Sequence, residues 1–244
     1  MRLTAELIGS SLSYLNPLKE RELDLRGHKI PAIENLGVAK DQDAIDFTDN
    51  DIQTLGNLPF SPRLKTLLLA RNRVQQIQST IAESAPNLEN LVLNSNMMKE
   101  LADLEPLSKC RRLNNLVLMD NPVTRKEHYR HFVIWKIPSV RFLDYQHVKL
   151  AEREKAEELF GTPDEPSPLA AKIMGIKTNT FEIDDPSSSS TNDKPYQTKL
   201  TEAEKKVLKD KIRNAKSLDE ITRLEKELRD GSIVHSLGAD AMEE

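Results

Sequence analysis

One cysteine, eight glycines and an aromatic content of 5% in 244 residues are the first things the sequence withholds. Cys110 has no second thiol to pair with and cannot build a thiolate zinc cage, which points to a reducing compartment and away from secretion. With so few glycines, none fall in the GxGxxG or GxxxxGK[ST] spacing of a phosphate-cradling loop. Apolar runs stop at about four residues, against the roughly 20 that a membrane-spanning helix requires, and Met1 to Asn16 lacks the basic start and apolar block of a leader. Positive charge is not in excess either. The 35 Lys and Arg face 39 Asp and Glu for a formal charge of -4, so any contact with nucleic acid is expected to be local. At 38% apolar and 30% charged, the chain is more polar than an average globular protein, and part of its length is expected outside any core.

What the sequence does have is repetition. Leu64, Leu67, Leu69, Asn72 and Val74 stand at offsets 0, 3, 5, 8 and 10; Leu88, Leu91, Leu93, Asn96 and Met98 repeat them, as do Leu113, Leu116, Leu118, Asn121 and Val123. Upstream, Ile45, Phe47, Asn50 and Ile52 follow Gln42, and Leu23, Leu25, His28 and Ile30 follow Glu20. The anchor column 28, 50, 72, 96, 121 advances in steps of 22, 22, 24 and 25, the period of leucine-rich repeats. A degenerate sixth copy runs Val140, Leu143, Tyr145, Val148. Apolar residues two apart share one face of a short strand and cannot share a helix face. An Asn where the chain leaves the strand can satisfy turn backbone with its amide. The expected fold is therefore α/β: a leucine-rich-repeat solenoid with a curved parallel sheet inside and short convex segments, such as Gln78 to Ser84, outside.

A solenoid needs closed ends. Residues 1–20 read as an N-terminal cap, with Thr4 capping a helix whose Leu7, Ile8 and Leu12 cover the first repeat. Residues 21–148 hold the repeats and a C-terminal cap segment rich in large side chains (Tyr129, Phe132, Val133, Trp135, Ile137), which residues 149–160 seal as a charged helix. From 161 to 200 the Pro, Ser and Asp content reads as a disordered linker. Residues 201–231, opened by the capping boxes Thr201 with Glu204 and Ser217 with Glu220, read as a charged helical tail, and 232–244 as a disordered end.

No catalytic constellation is found. His128 and His131 lie three apart beside Glu127, but a catalytic metal needs a third protein ligand and an open position. The neighbours Lys109, Arg111 and Arg112 would lower the pKa of Cys110, yet no base partner is in sight. Neither a metal nor a cofactor is called for.

The binding surface is expected on the outward strand positions. At offset 4 the column reads Asp24, Asp46, Leu68, Val92, Val117, Asp144; at offset 6 it includes Ala70, Asn94 and Met119; at offset 7 it reads Gly27, Asp49, Arg71, Ser95, Asp120, His147. An apolar centre with acidic ends suits an amphipathic helix of a protein partner. Basic residues gather at the edges: Arg26 and Lys29 at the first turn, Arg71 and Arg73 at the third, Lys149 and Arg153 at the back cap. As a set they offer a grip on a phosphate backbone.

The stretches RELDLRGHKIPAIENLG from Arg21, DAIDFTDNDI from Asp43, RLKTLLLARNRV from Arg63 and the cap NPVTRKEHYRHFVIWKIPSVRFLDYQHVKLAERE from Asn121 closely resemble the A-prime subunits of the U2 small nuclear ribonucleoprotein. The similarity runs from Leu3 to about Phe160, with the cap block its most discriminating part, and the capped segments after Thr201 look like that family's tail. The resemblance implies a non-catalytic, nuclear subunit in pre-mRNA splicing. Its concave sheet would hold a helix of an RNA-recognition-motif (RRM) protein, the B-double-prime subunit, and the pair would bind a U2 snRNA stem-loop beside other spliceosomal proteins, with no membrane involved. On that reading Leu68, Val92, Asn94, Val117 and Met119 meet the helix, Asp24, Asp46 and Asp144 meet its basic residues, and Arg26, Lys29, Arg71, Arg73, Lys149 and Arg153 are the RNA-edge set. The alternatives are an adaptor for another complex, such as a protein phosphatase scaffold, and an enzyme using the repeats as a substrate platform.

Overall fold

Each repeat contributes a strand of only two to four residues, because the apolar spacing of two lasts no longer than that before the Asn turn. The computed structural model of the chain describes residues 1–162 and 165–176. Helix α1 (Ala5–Ser10) and strand β1 (Ser13–Leu15) precede the repeat strands β2 (Arg21–Asp24) and β3 (Ala44–Asp46); β4 (Thr54–Leu55) then lies on the other side of the arc. Next come β5 (Thr66–Leu68), β6 (Gln76–Ile77), α2 (Ile81–Ser84), β7 (Asn90–Val92) and β8 (Asn115–Val117). The C-terminal part holds α3 (Tyr129–Lys136), β9 (Phe142–Leu143), β10 (Gln146–His147), α4 (Leu150–Phe160) and α5 (Pro168–Met174). Short 3-10 segments at Leu36–Ala39, Leu101–Lys109 and Pro122–Arg125 complete the convex side.

The main sheet has the order β1-β2-β3-β5-β7-β8-β9-β10, and β4 pairs with β6 in a second, small sheet. Its centre is parallel and its two ends are antiparallel. The register stacks Leu23, Ile45, Leu67, Leu91, Leu116 and Leu143 in one row. All six are buried, joined by Leu25, Phe47, Leu69, Leu93 and Leu118 two residues on. This double row is the core that burial of apolar surface stabilises.

The asparagine column sews successive repeats together. Asn72 donates through Nδ2 to Phe47 O of the preceding repeat at 2.9 Å and to Leu69 O of its own at 3.1 Å, and its Oδ1 accepts from Ile52 N at 3.1 Å. Asn50, Asn96 and Asn121 make the same three bonds. An amide that reaches backwards explains His28: the first repeat follows no other, so no asparagine is needed there. The residue before each anchor is left-handed: Gly27, Asp49, Arg71, Ser95 and Asp120 have φ between 53° and 73°. Only Gly27 adopts this without a steric penalty. The offset-7 column is thus the turn itself, not an extension of the strand face.

The caps differ from expectation in two places. Thr4 does cap α1, its Oγ1 accepting from Leu7 N at 3.2 Å, and Leu3 and Ile8 are buried, but Leu12 is 72% exposed. The chain leaves the helix there to form β1, which pairs antiparallel with β2 and covers the sheet edge in place of a leucine. At the other end, the stretch from Gly161, read as linker, carries α5. Ser167 caps it by accepting from Ala170 N at 3.2 Å, Pro168 occupies its first turn and Ala170 is fully buried. Residues 177–200, the tail 201–231 with its two capping boxes, and the end 232–244 lie outside the described residues.

Candidate functional site: the concave face and its edges

Strand register turns the offset-4 column into one row across the inside of the arc: Asp24, Asp46, Leu68, Val92 and Val117 are successive partners. Leu68 and Val92 are partly exposed, and Met119, two residues beyond Val117, is 42% exposed. Asn94 is partly exposed in the same strip, its carbonyl accepting from Arg71 N. Val117 departs from the expected exposure: it shares the row of Leu68 and Val92, yet at 4% it is buried.

The acidic ends are less free than the sequence suggested. Asp144 falls just past β9 and acts as a backbone surrogate, its Oδ1 accepting from Leu118 N at 2.7 Å and its Oδ2 from Tyr129 OH at 2.8 Å. Burial, with the neighbouring Asp144 charge and hydrogen bond, pushes the Tyr129 phenol pKa far up. Asp46 is buried, accepts from Thr48 N at 2.8 Å and lies 3.5 Å from Arg26. Asp24 takes Arg26 in a two-point bond of 2.9 and 2.6 Å, which holds its carboxyl below the usual range despite partial burial. Asp24 keeps some exposed surface; Asp144 has both oxygens spoken for.

Offset 2, which spacing alone did not single out, carries a second polar column on the same face. Asn115 donates to Asn90 Oδ1 at 2.6 Å, Asn90 donates to Thr66 Oγ1 at 2.9 Å, and Thr66 donates to Glu20 Oε1 at 3.2 Å. The chain continues through Asn16, which donates to both Glu20 and Glu22, to Tyr14, whose hydroxyl donates to Glu22 Oε1 at 2.8 Å. Polar residues one register step inside the apolar row were the signal available in the sequence. Glu22 is buried against Tyr14 and Asn16 with no cation partner among the described residues, and with Glu20 it makes the N-terminal end of the track acidic.

The expected RNA-edge set divides. Arg26 is engaged by Asp24, Arg71 by Asp49 at 2.5 Å and Arg73 by Asp51 at 3.1 Å. Arg153 donates to Pro138 O and Val140 O at 3.1 and 2.6 Å, tying the back cap, and sits by the opposite edge from Arg26. Lys29 and Lys149 are exposed and without a carboxylate partner among the described residues.

The residues that invited catalytic readings have structural surroundings. Cys110 is buried and its thiol is pushed up to about 11 by burial, so the neighbouring basic residues do not activate it. His131 is lowered by burial and by Lys155 nearby, and among the described residues no three His, Cys, Asp or Glu side chains cluster as metal ligands. Trp135 packs with Phe132 and Phe160 at 5.7 and 5.5 Å and donates to Gly161 O at 2.7 Å, a cap-core residue.

A capped parallel arc of stacked strand-and-asparagine repeats with a half-apolar hollow defines a leucine-rich-repeat protein. The leucine-rich-repeat family model matches residues 1–173. U2 small nuclear ribonucleoprotein A' of Aspergillus fumigatus is 68% identical over 236 residues, covering 96% of this chain and 92% of that protein; the Homo sapiens protein of the same name is 43% identical, with 96% and 89% covered. Among solved structures, the crystal structure of the Drosophila melanogaster SNF/U2A' complex aligns with a TM-score of 0.65 and 47% identity over 67% of this chain and 95% of that one. The chain belongs to the U2 small nuclear ribonucleoprotein A' family. That assignment goes against the phosphatase-scaffold alternative.

Proposed function

We propose that the chain is the leucine-rich-repeat subunit of the U2 small nuclear ribonucleoprotein, acting in the nucleus in pre-mRNA splicing as a non-catalytic clamp. Its concave face holds a helix of an RRM protein of the B-double-prime kind, and the pair engages a U2 snRNA stem-loop. The observation that carries this reading is the strip Leu68, Val92, Asn94 and Met119, left partly or largely open on a sheet whose other apolar rows are fully buried. The likeness to the SNF/U2A' complex over nearly all of that chain supports it. Asp24 and Glu22 supply negative charge near the N-terminal end of the strip, and of the expected edge set Lys29 and Lys149 are left open for RNA.

A charge placed in the strip tests the reading. Val92→Glu projects from the end of β7 into the hollow, so it should weaken capture of the RRM partner in a pull-down by more than about a hundredfold, as expected when a charge is buried unpaired in an interface. Circular dichroism should stay native. Undiminished capture by a folded variant would refute the concave-face assignment.

A further inference from the structure

The edge of the sheet opposite Arg26 and Arg71 carries a second basic site. The residues just ahead of β7, β8 and β9 line a cleft of about 330 Å³: Glu89, Arg111, Arg112, Asn114, Ser139 and Arg141. They are fixed by the solenoid's own ladder, since Asn114 N donates to Glu89 O at 2.8 Å and Arg141 N donates to Asn114 O at 2.9 Å. Ser139 donates from Oγ to Cys110 O at 3.0 Å, leaving the oxygen's lone pairs open.

The cleft differs from the other edge in its lack of internal pairing. Arg26, Arg71 and Arg73 each meet an aspartate, and Arg63, further along this same edge, meets Asp43 at 3.1 Å. Arg111, Arg112 and Arg141 are exposed, and among the described residues none has a carboxylate within ion-pair distance. Asn114 is the counterpart on the acceptor side: its Oδ1 is a buried side-chain oxygen with no hydrogen-bond partner. A buried amide without a partner is costly, and native structures hold few of them.

We propose that this cleft binds the sugar-phosphate backbone of single-stranded RNA, away from the concave face. Three open guanidinium forks suit phosphate oxygens. The acceptors among them, Glu89, Ser139 and Asn114, gain nothing from phosphate and want a donor beside it. A ribose 2'-hydroxyl supplies that donor one bond system away from each phosphate, which deoxyribose does not. Asn114 meets it by turning its amide outward, which relieves the orphaned oxygen. A carboxylate-rich peptide satisfies the arginines but carries no hydroxyl donor beside each charge for Asn114 Oδ1.

The test is fluorescence anisotropy with the full chain, free of partners, against a short single-stranded RNA, the DNA of the same sequence, and an oligoglutamate competitor. RNA should bind with a log-log salt slope near -2, as for about three phosphates neutralised on a single strand. Arg111→Glu, Arg112→Glu and Arg141→Glu together should weaken it at least tenfold while the RRM partner is still pulled down, which keeps this outcome separate from the concave-face reading. DNA should bind several-fold more weakly than RNA, and Asn114→Leu should narrow that gap. RNA binding that is absent at low salt, or unchanged in the folded triple variant, overturns the site. Equal affinity for DNA and RNA overturns the ribose contact, and displacement of RNA by oligoglutamate at lower concentration assigns the cleft to an acidic protein instead.

Discussion

Two columns of side-chain amides run along this arc with the same period and opposite consequences. In the turn column, Asn50, Asn72, Asn96 and Asn121 are buried and each amide is consumed by backbone groups of two neighbouring repeats. In the concave column, Asn90 and Asn115 are partly exposed and bond to other side chains, in a chain that runs through Glu20 to Tyr14. A turn asparagine lost from the first column strands backbone groups that water cannot reach. Loss from the second frees side chains that water or a partner helix can satisfy. Residue type and spacing are shared; what separates a structural amide from a surface one is which groups depend on it.

The sharpest way to break that comparison is a matched pair of near-isosteric substitutions. Asn96→Leu removes the acceptor for Val74 N and one of two asparagine donors to each of Leu69 O and Leu93 O, which orphans one buried N–H at about 1–3 kcal/mol and forfeits two further hydrogen bonds at about 0.5–1.5 kcal/mol each before relaxation. A net loss of roughly 3 kcal/mol or more is expected in urea unfolding. Asn90→Leu should cost less than about 1 kcal/mol. Equal losses would mean that the concave ladder is as structural as the turn ladder.

The C-terminal cap extends the comparison to charge. Arg130 of α3 donates to Glu152 of α4 at 2.6 and 3.2 Å and to Leu143 O and His147 O of the β9–β10 hairpin at 3.2 and 3.4 Å. One side chain thus ties three elements, as each turn asparagine ties two repeats. Arg130→Met keeps most of the stem's packing and removes all four bonds. A loss of about 2 kcal/mol is expected, since Glu152 and two carbonyls are left without their donor while partly reachable by water.

Much of this was legible in the sequence because the repeat is a covariation of residue type with position inside the chain itself. Leu67, Leu91 and Leu116 pair in register as their offsets require, and the asparagine column sits where the strands end. The cap rich in Tyr129, Phe132 and Trp135 was legible from apolar mass alone. The misreadings share one cause, which is that composition and spacing carry no information about what lies across from a residue. Val117 has an exposed-row address and a buried neighbourhood. Asp144 looks like a free acid at the end of a column, yet it stands in for a strand that has run out. Arg26, Arg71 and Arg73 look like a basic edge until the aspartates one turn away are placed beside them. Helix α5 was hidden in a Pro- and Ser-rich stretch whose Ser167-Pro168 start and Gly175 stop are themselves helix signals.

A smaller effect than the loss of Arg130 is the one that titrates. The hydrogen bonds from Arg130 hold Glu152 down to about 2 from its ordinary 4.5, against the opposing pull of burial, and the backbone N–H of Lys149 adds to the hold at 2.9 Å. A carboxyl depressed in the folded state stabilises the fold wherever it is ionised in both states. That contribution is complete above about pH 5, declines as the pH falls through the ordinary value, and is gone below about pH 2. With Glu152 and Arg130 about a quarter exposed, solvent screening limits it to about 1 kcal/mol. Other depressed acids, Asp24 and Asp43 among them, destabilise the fold over the same range, so the quantity to measure is a difference. Glu152→Gln should be less stable than the parent at pH 7 by about that amount, and the two unfolding curves should converge by pH 2. A constant gap at all pH values would make the pair's contribution one of packing and capping rather than charge, and would place Arg130 with the turn asparagines, whose work no proton touches.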